Sequence, residues 1–369
     1  MKKKLSLKVK LGKSSYPIFI GNNLFQDLEN LIPNFNGFSK IILITDKIIY
    51  KNHYKIIDRS FAKNTKNFQK IIVPAGEKTK SFIFLEDLIE KILKIKIDRN
   101  ALLICFGGGV IGDLVGLTAS LLLRGIEFVQ IPSTLLAQVD SSVGGKTGIN
   151  SRQGKNLIGT FKQPISVIIS IEILKTLPKR EIISGYAEIL KYSLINDKSF
   201  FYWLQKNGKK VISLNYESCL YAISNSCQIK SKIVSEDEKE QGIREILNFG
   251  HTFGHAIESF TYYSRKINHG EAVYLGMYLA LRFSLYLGIC KRDLIENFVS
   301  HLEELDISYK IKDYNLKITP RKFVEHIKYD KKIKNKKLKF ILLQEFGRPF
   351  RYILDNEKIL MNFFKEELT

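Results

Sequence analysis

Hydrophobic and polar positions in the first half of the chain follow two alternating patterns. Short apolar runs bounded by polar residues predict buried strands, and these runs are Lys40–Thr45, Lys70–Val73, Ala101–Phe106 and Ile126–Ile131. Longer stretches with helical periodicity lie between the runs, at Phe82–Ile95 behind Ser81 as the expected N-cap and at Val110–Leu123. Strands that alternate with helices predict a largely parallel sheet with helices on both faces.

The second half of the chain has a different pattern. After about Pro178 helical periodicity dominates, and the predicted helices are Glu181–Leu194, Phe200–Val211, Glu217–Ser235, Leu247–Ser259 and Gly270–Leu287. Leu338–Gln344 is the clear late strand candidate. We therefore predict an α/β fold, with a Rossmann-like, mostly parallel sheet domain at residues 1–178 and a mainly α-helical domain at residues 179–369. The active cleft is expected between these domains.

The N-terminal sequence MKKKLSLKVKLG alternates between apolar and lysine positions. Every second residue from Leu5 to Leu11 is apolar, which is typical of a half-buried strand and not of the continuous apolar core of a signal peptide. No apolar run reaches the roughly 18 residues that a membrane span needs. We therefore expect a cytoplasmic protein that makes no use of a membrane.

Composition indicates a globular protein of the reducing cytosol. The 369 residues, 45% of them hydrophobic, suffice for two domains and a large core. The four cysteines contain no C-x-x-C pair, so we expect them to be small buried side chains and not a disulfide framework; they are Cys105, Cys219, Cys227 and Cys290.

The formal net charge of +21 raises the alternative of a nucleic-acid-binding protein. Such proteins usually concentrate their basic residues on one face or tail, whereas here lysines occur from end to end, with a local crowd at Lys328–Lys339. We interpret most of the charge as solvated surface. Its field would still favour an anionic small-molecule substrate, and we expect no nucleic-acid partner.

Two glycine clusters stand out between Cys105 and Asn156. Gly107, Gly108 and Gly109 follow the strand Ala101–Phe106 and precede a predicted helix, an arrangement that aims backbone N–H groups and the helix dipole at an anion. A tight turn that needs small residues is the alternative for this cluster alone. The second cluster, Gly144-Gly145 with Gly148, is accompanied by polar side chains that suit phosphate, hydroxyl or carboxylate.

A metal-binding constellation follows in the helical half. His251 and His255 are four residues apart on a predicted helix, His269 opens the motif NHGEAV, and Glu188 lies on an earlier helix. Three histidines and a carboxylate suit zinc. Spacing alone leaves open which two histidines bind the metal and which carries protons. Asn248 precedes His251 by three residues and is expected on the same helix face.

Several long motifs together resemble 3-dehydroquinate synthase, an enzyme family of the shikimate pathway. They are PAGEKTK, GGGVIGDLVG, QIPSTLLAQVDSSVGGKTGIN, GKNLIGTF, SGYAEILKY, the segment Glu236–Arg244, LNFGHTFGHAIE and HGEAV. The resemblance runs through most of the chain and is densest from Pro74 to Glu271. It implies conversion of 3-deoxy-D-arabino-heptulosonate 7-phosphate, an anionic sugar phosphate, to 3-dehydroquinate and phosphate, with NAD and Zn²⁺ or Co²⁺ as cofactors.

The resemblance also implies roles for individual residues. The metal ligands would be Glu188, His251 and His269, with His255 as a nearby hydrogen-bonding or proton-relay group. The implied NAD contacts are Asp46, Glu77, Lys80, Gly108, Gly109, Val110, Asp113, Ser133, Thr134, Lys146, Lys155, Leu174, Lys175 and Thr176. The implied substrate contacts are Asp140, Lys146, Asn156, Lys191, Lys230, Arg244, Asn248 and a late lysine, Lys332 or its neighbour Lys331. Arg124 would reach the neighbouring subunit's site, which implies a homodimer.

One departure from the family pattern is visible. The family often has paired threonines where this chain has Ser133-Thr134, and because serine keeps the hydroxyl we expect NAD binding to survive. Two related activities remain as alternatives: another sugar-phosphate cyclase, such as a 2-deoxy-scyllo-inosose synthase, and a metal-dependent alcohol or glycerol dehydrogenase. Arg244 and Lys146 favour a carboxylated substrate over the first, and a dehydrogenase leaves the lysine and arginine residues without a role.

Overall fold

The structure is a computed structural model that describes residues 4–62, 67–262, 266–331 and 337–368. The chain divides into two compact units. The first unit is Met1–Ile182 with Leu214–Lys239, and the second is Ile183–Ser213 with Glu240–Thr369. The chain first passes from the first unit to the second between Ile182 and Ile183, close to the boundary expected at residue 178. It then returns to the first unit for Leu214–Lys239, a segment that contains one later helix. Helical periodicity shows which face of a helix is apolar and not which core receives it, so the sequence could not indicate this return.

A seven-stranded sheet forms the framework of the first unit. The strands of this unit are β1 (Leu5–Val9), β2 (Tyr16–Gly21), β3 (Lys40–Asp46), β4 (Phe68–Val73), β5 (Ala101–Gly107), β6 (Glu127–Pro132), β7 (Lys146–Ser151), β8 (Gly154–Phe161) and β9 (Ser166–Ser170). The sheet order is β1-β2-β9-β6-β5-β3-β4, and β7 and β8 form a separate hairpin. β1 is antiparallel to β2, whereas the other paired strands of the large sheet run parallel. The predicted α/β fold class is therefore confirmed.

The helices vary widely in length. They are α1 (Leu28–Leu31), α2 (Lys47–Ala62), α3 (Phe82–Lys94), α4 (Gly109–Leu121), α5 (Lys179–Asn196), α6 (Lys198–Ile212), α7 (Tyr216–Glu236), α8 (His251–Phe260), α9 (His269–Tyr286), α10 (Arg292–Glu304), α11 (Pro320–Lys331) and α12 (Glu357–Glu367). Helices α1 to α4 and α7 belong to the first unit, and α6 and α8 to α12 to the second. Within the described part of the chain, no helix combines the length and apolar character that crossing a bilayer requires.

The large sheet is buried on both faces. Ile41 and Leu43 of β3 belong to the hydrophobic core on one face, and Ile42 and Ile44 belong to the core on the other. Successive side chains of a strand point to opposite faces, so a strand covered on both sides is apolar at every position. This explains why the continuous runs at β3 and β5 were readable as strands from the sequence.

The second unit packs its helices around an aromatic core with one hairpin. β10 (Leu338–Leu343) confirms the late strand predicted from the sequence, and β11 (Pro349–Leu354) pairs with it antiparallel. The ring of Phe253 on α8 lies 5.1 Å from that of Phe340 on β10, and Phe283 on α9 lies 5.5 Å from the same ring. This packing fixes α8 and α9, the helices that carry the candidate histidines.

The structure corrects three expectations about local structure. The helix predicted at Leu247–Ser259 is interrupted, because a 3-10 turn at Ile243–Asn248 ends before Gly250, which has φ +78°. Helix α8 begins only at His251, so Asn248 does not share its face. Ser81 occupies the N-cap position of α3, but its side chain makes no capping hydrogen bond.

Strands β7 and β8 were missed, since their glycine-rich sequences have little strand periodicity.

Candidate active site

The carboxyl ends of the parallel strands carry the first group of candidate residues. Strand order reverses between β3 and β5, because the chain continues from β3 to β4 on one side and from β5 to β6 on the other. Open α/β sheets bind ligands outside the strand ends at such a point. Asp46 ends β3, and Gly108 follows β5 as the N-cap residue of α4. The predicted strand, glycine turn and helix are thus all present.

The glycines of this turn have a packing role as well as an open backbone. A Cβ atom on Gly107 would lie 2.6 Å from Cβ of Ile111, and one on Gly109 would lie 2.9 Å from Oγ of Ser141. Packing alone therefore requires a small residue at Gly107, whereas at Gly109 the Ser141 hydroxyl can rotate away. Gly108, Gly109 and Val110 are nevertheless only half-buried, so the N-terminus of α4 is accessible to an anion.

Ser133 adds a buried hydroxyl beside the same turn. Its backbone N–H donates to the Gly107 carbonyl at 2.9 Å, while its Oγ makes no hydrogen bond to any described residue. Thr134 follows, and its Oγ1 accepts from the backbone N–H of Ala137 at 3.1 Å. A buried hydroxyl without a protein partner costs free energy, so Ser133 is suited to a ligand at the glycine turn.

A polar network lies between the PAGEKTK loop and the β7–β8 hairpin. The Lys80 ammonium, 5% exposed, donates to Asp113 Oδ2 at 2.6 Å and also to the side-chain oxygen of Asn156. Burial raises the pKa of Asp113, and the Lys80 charge opposes that rise. Glu77 accepts from Asn150 Nδ2 at 2.7 Å. The structure therefore brings together three predicted NAD contacts and one predicted substrate contact.

Two other predicted NAD contacts have local structural partners. Asp46 Oδ1 accepts from the backbone N–H groups of Ile48 at 2.8 Å and Ile49 at 3.0 Å, which caps the start of α2. Thr176 ends the 3-10 helix Ile171–Thr176, and its Oγ1 lies 2.8 Å from Nε2 of the buried His53. In the same segment Leu174 is fully buried.

Lys230 and Asp140, two predicted substrate contacts, form an ion pair in the first unit. The Lys230 ammonium on α7 donates to both the backbone carbonyl and Oδ1 of Asp140, each at 2.7 Å, and is 6% exposed. Lys146 begins β7 with an exposed side chain, and half-buried Lys155 lies on β8. Arg124 is exposed with φ +69°, in a left-handed stretch that strains non-glycine backbone.

The second unit contains a cluster of side chains from three helices that could hold a metal ion. Glu188 of α5, His251 at the start of α8 and His269 at the start of α9 each offer a ligand atom, and these atoms all lie within 4.8 Å of one another. Glu188 Oε1 is 3.4 Å from His251 Nε2 and 3.5 Å from His269 Nε2. The Glu188 side chain is fully buried, and neither of its oxygens accepts a hydrogen bond of good geometry from a described residue.

Close backbone contacts bring these three helices together. A Cβ atom on Gly270 would lie 2.3 Å from both Cα and O of Ser184, one turn before Glu188 on α5. The Gly270 N–H also donates to Ser184 Oγ at 3.0 Å. On the other side of α9, a Cβ atom on Gly276 would lie 2.0 Å from the Gly250 carbonyl, next to His251. Only glycine permits these approaches, so glycine positions set the spacing of the cluster.

Neighbouring groups orient the two histidines of the cluster. His251 Nδ1 lies 3.2 Å from the Phe249 carbonyl, so a proton donated there leaves Nε2 available for a metal. His269 Nδ1 lies 3.5 Å from Oε2 of the buried Glu258, the carboxylate–histidine arrangement common around metals. Glu258 was not among the predicted site residues, although its position seven residues after His251 on the same helix face was a usable signal.

Charge complementarity keeps the Glu188 carboxylate ionised. Burial alone would raise the pKa of Glu188, but the Lys191 ammonium and the two histidines outweigh burial and hold this pKa well below its usual range. Lys191 is 2% exposed and forms an ion pair with Glu188. In the absence of a metal, burial lowers the pKa of His269. The carboxylates of Glu188 and Glu258 favour its charged form more strongly, so this pKa rises to about 10. A metal ion would displace that proton.

The other candidate residues of the second unit lie before and after these histidines in the chain. The His255 ring centroid is 5.4 Å from that of His251, yet His255 is not one of the three residues whose ligand atoms converge. Arg244 is 1% exposed, and Asn248 Nδ2 donates to Glu240 Oε1 at 3.0 Å. Lys332 lies outside the described residues, and Lys331 is the last residue of α11. The four cysteines are buried thiols, as expected.

Comparison with known proteins gives matches along nearly the whole chain. The family model for the 3-dehydroquinate synthase N-terminal region matches residues 70–184, and the model for the C-terminal region matches residues 185–333. The 3-dehydroquinate synthase of Pelagibacter ubique is 44% identical over 99% of both chains. That of Zymomonas mobilis is 42% identical over 96% of this chain and 93% of its own length.

Solved structures share the fold at low sequence identity. A 2-deoxy-scyllo-inosose synthase complexed with carbaglucose-6-phosphate, NAD⁺ and Co²⁺ superposes with a TM-score of 0.88 at 23% identity, covering 98% of this chain and all of the other. The 2-epi-5-epi-valiolone synthase of Streptomyces hygroscopicus, with NAD⁺ and Zn²⁺ bound, gives 0.85 at 22% identity over 96% of both chains. A sulfoacetaldehyde reductase of Bifidobacterium kashiwanohense with NAD⁺ gives 0.68 at 13% identity, covering 95% and 96%.

Proposed function

The chain belongs to the 3-dehydroquinate synthase family, and we propose that it converts 3-deoxy-D-arabino-heptulosonate 7-phosphate into 3-dehydroquinate and phosphate. The reaction combines transient oxidation, β-elimination of phosphate, re-reduction, ring opening and intramolecular aldol closure. The cluster of Glu188, His251 and His269 carries the proposal, because it supplies a buried metal site in a chain that matches both halves of the family. The structural neighbours with bound NAD⁺ and Co²⁺ or Zn²⁺ support the same cofactors here.

The residues present fit a divalent metal. Two imidazole nitrogens and one carboxylate are ligands that Zn²⁺ accepts, and three protein ligands leave a position for a substrate oxygen. The buried Glu188 Oε1 faces both imidazole Nε2 atoms and is suited to an ion. We therefore propose Glu188, His251 and His269 as the ligands, with His255 nearby to hold or pass a proton.

The residues of the first unit fit NAD. The half-buried N-terminus of α4 suits the pyrophosphate, and Ser133 offers its buried hydroxyl beside it. Glu77 and Asp46 offer carboxylates that can accept from ribose hydroxyls. When bound, NAD⁺ supplies reversible hydride transfer, and the metal acidifies the hydroxyl that it holds.

The basic residues would hold the anionic groups of the substrate. Lys230 is fixed by two hydrogen bonds to Asp140, so its ammonium is a positioned donor with little freedom to lose on binding. Arg244 is almost fully buried, and its planar guanidinium suits bidentate binding of a carboxylate or phosphate. We assign Lys146, Lys191, Asn156 and Asn248 to the same anionic substrate, and we place the enzyme in the cytoplasm.

We further propose a homodimer in which Arg124 completes the neighbouring subunit's site. Exposed apolar side chains lie near this arginine in the first unit: Leu121 is 50% exposed and Phe161 is 44% exposed. Thr160 Oγ1 on β8 donates to Ser120 Oγ on α4 at 3.0 Å, which holds the end of β8 beside the end of α4. Mixing inactive R124A and inactive K230M subunits tests this directly. Restored activity in the mixture supports a shared site, and a mixture that stays inactive after confirmed subunit exchange contradicts it.

Substrate selectivity tests the proposed function. We expect the metal- and NAD⁺-loaded protein to release phosphate from the heptulosonate phosphate, which has a carboxylate, and not from glucose 6-phosphate, which has none. R244A should lose this preference together with most activity. Phosphate release from glucose 6-phosphate alone would indicate a different sugar-phosphate cyclase. Oxidation of simple alcohols without phosphate release would indicate a dehydrogenase.

A further inference from the structure

Asn150 lies at an irregular position of the β7–β8 hairpin. The strand register pairs Ile149 with Ile158 but Ser151 with Gly154, so the register shifts across Asn150. The facing segment contains Asn156, whose φ of +56° is unusual for a residue other than glycine. Irregular pairing of this kind redirects side chains and is frequent beside functional sites. The distortion therefore calls for a local cause.

Three hydrogen bonds connect Asn150 to the predicted ligand-binding residues. Its backbone N–H donates to the Lys80 carbonyl at 2.9 Å, and its Nδ2 donates to Glu77 Oε1 at 2.7 Å. Its Oδ1 accepts from the Asn156 backbone N–H at 3.0 Å. One half-buried amide thus joins the PAGEKTK loop to the hairpin segment around Asn156.

We propose that Asn150 is a positioning residue that holds the cofactor carboxylate of Glu77 and the substrate contact Asn156 in one fixed arrangement. The amide is suited to both tasks, because its nitrogen donates to a carboxylate while its oxygen accepts from a backbone N–H. Lys80 closes the network by donating to the Asn156 side chain and to Asp113. The inference rests on the proposed function, which assigns NAD to Glu77 and substrate to Asn156.

The first test removes the amide. In N150A, we expect NAD⁺ to bind about tenfold more weakly by calorimetry, and KM for the heptulosonate phosphate to rise by a similar factor, since a hydrogen bond to a charged group is lost. Zinc affinity should stay unchanged, because all three metal ligands belong to the second unit. N30A is the matched control, as Asn30 Nδ2 also donates to a carboxylate, that of Asp27, outside this network. NAD⁺ affinity and KM within twofold of wild type in folded N150A would overturn the proposal.

A double-mutant cycle tests the link to Glu77 and does not depend on the alanine variant folding. N150D places a second carboxylate against Glu77, so NAD⁺ binding should weaken by at least tenfold. Adding E77Q to N150D should strengthen NAD⁺ binding, because glutamine can donate to the new carboxylate, whereas E77Q alone should weaken it. An equal effect of E77Q in both backgrounds would overturn the proposal. Failure of the wild-type protein to bind NAD⁺ would instead overturn the proposed function on which it rests.

Discussion

Replacing Gly270 by alanine tests whether backbone contact between helices sets the metal site. The added Cβ would lie 2.3 Å from Cα and O of Ser184, far inside van der Waals contact. Because both atoms belong to the backbone, no side-chain rotation can make room. The start of α9 must therefore move away from α5 by about 1 Å, taking His269 away from Glu188.

Two effects of opposite sign act on the stability of this variant. Alanine is a better helix former than glycine by about 1 kcal/mol. Overpacking costs about 1–3 kcal/mol, and the Gly270 N–H would also move away from Ser184 Oγ, with a further loss of about 1 kcal/mol. We therefore expect a net loss of about 1–3 kcal/mol in the free energy of unfolding. Zinc affinity should fall by at least about tenfold, because metal ligands tolerate displacements of only about 0.2 Å.

Denaturant unfolding of the metal-free protein measures the first quantity, and competition with a chromophoric chelator measures the second. G154A is a suitable control, since its Cβ would meet only the flexible Leu157 side chain, with Cδ1 at 3.2 Å and Cγ at 3.6 Å. Unchanged zinc affinity with equal or greater stability in G270A would refute the reasoning, because helix propensity would then decide the outcome.

Three further predictions follow from buried groups. E258Q should weaken zinc binding by about 10–100-fold in the same competition assay, because the charge that orients His269 is lost. As a control, E304Q at an exposed position should leave the zinc affinity unchanged. R244A should lower kcat/KM by about 100-fold or more and R244K should recover little of it; near-normal steady-state rates would remove Arg244 from substrate binding. Burial lowers the pKa of His301, whose Nε2 lies 2.8 Å from the Tyr186 hydroxyl, to about 4. The folded state therefore binds this proton more weakly than the unfolded state. This contribution to the free energy of unfolding is complete above about pH 6.5 and is lost as the pH falls toward 4, by up to about 3 kcal/mol. Denaturant unfolding of H301Q should therefore depend less on pH over this range.

The sequence predicted five of the seven strands of the central sheet, β1, β3, β4, β5 and β6, and missed β2 and β9. The continuous apolar runs of β3 and β5 and the glycine turn before α4 all lie where they were expected. Strands β7 and β8 could not be predicted in this way, because β8 is largely exposed and its residues follow no alternating pattern. Both strands also pack on α4, which is distant in sequence.

The candidate site was predictable in its residue types and less so in its geometry. The resemblance selected Glu188, His251 and His269, and the structure brings these three side chains together while His255 lies outside the converging set. The prediction that Asn248 and His251 share a helix face was wrong, because Gly250 takes a left-handed conformation between them. Periodicity assumes a continuous helix, so a single glycine conformation was enough to defeat that inference.

Supporting residues were the least predictable part. Glu258 and Asn150 act on other residues, and their partners lie 11 and 73 positions away in the chain for the contacts with His269 and Glu77. Nothing in a local pattern indicates a hydrogen bond across such a distance. These residues became visible only when the fold placed their partners beside them.

The stoichiometry of phosphate release against NAD⁺ tests the central claim most directly. Purified protein would be mixed with Zn²⁺, excess 3-deoxy-D-arabino-heptulosonate 7-phosphate and a small, catalytic amount of NAD⁺, with phosphate and NADH followed together. A redox-neutral cyclase should release phosphate in large molar excess over the NAD⁺ supplied, with one 3-dehydroquinate per phosphate and no accumulating NADH. NADH that accumulates mole for mole with substrate oxidised, without phosphate release, would contradict the account.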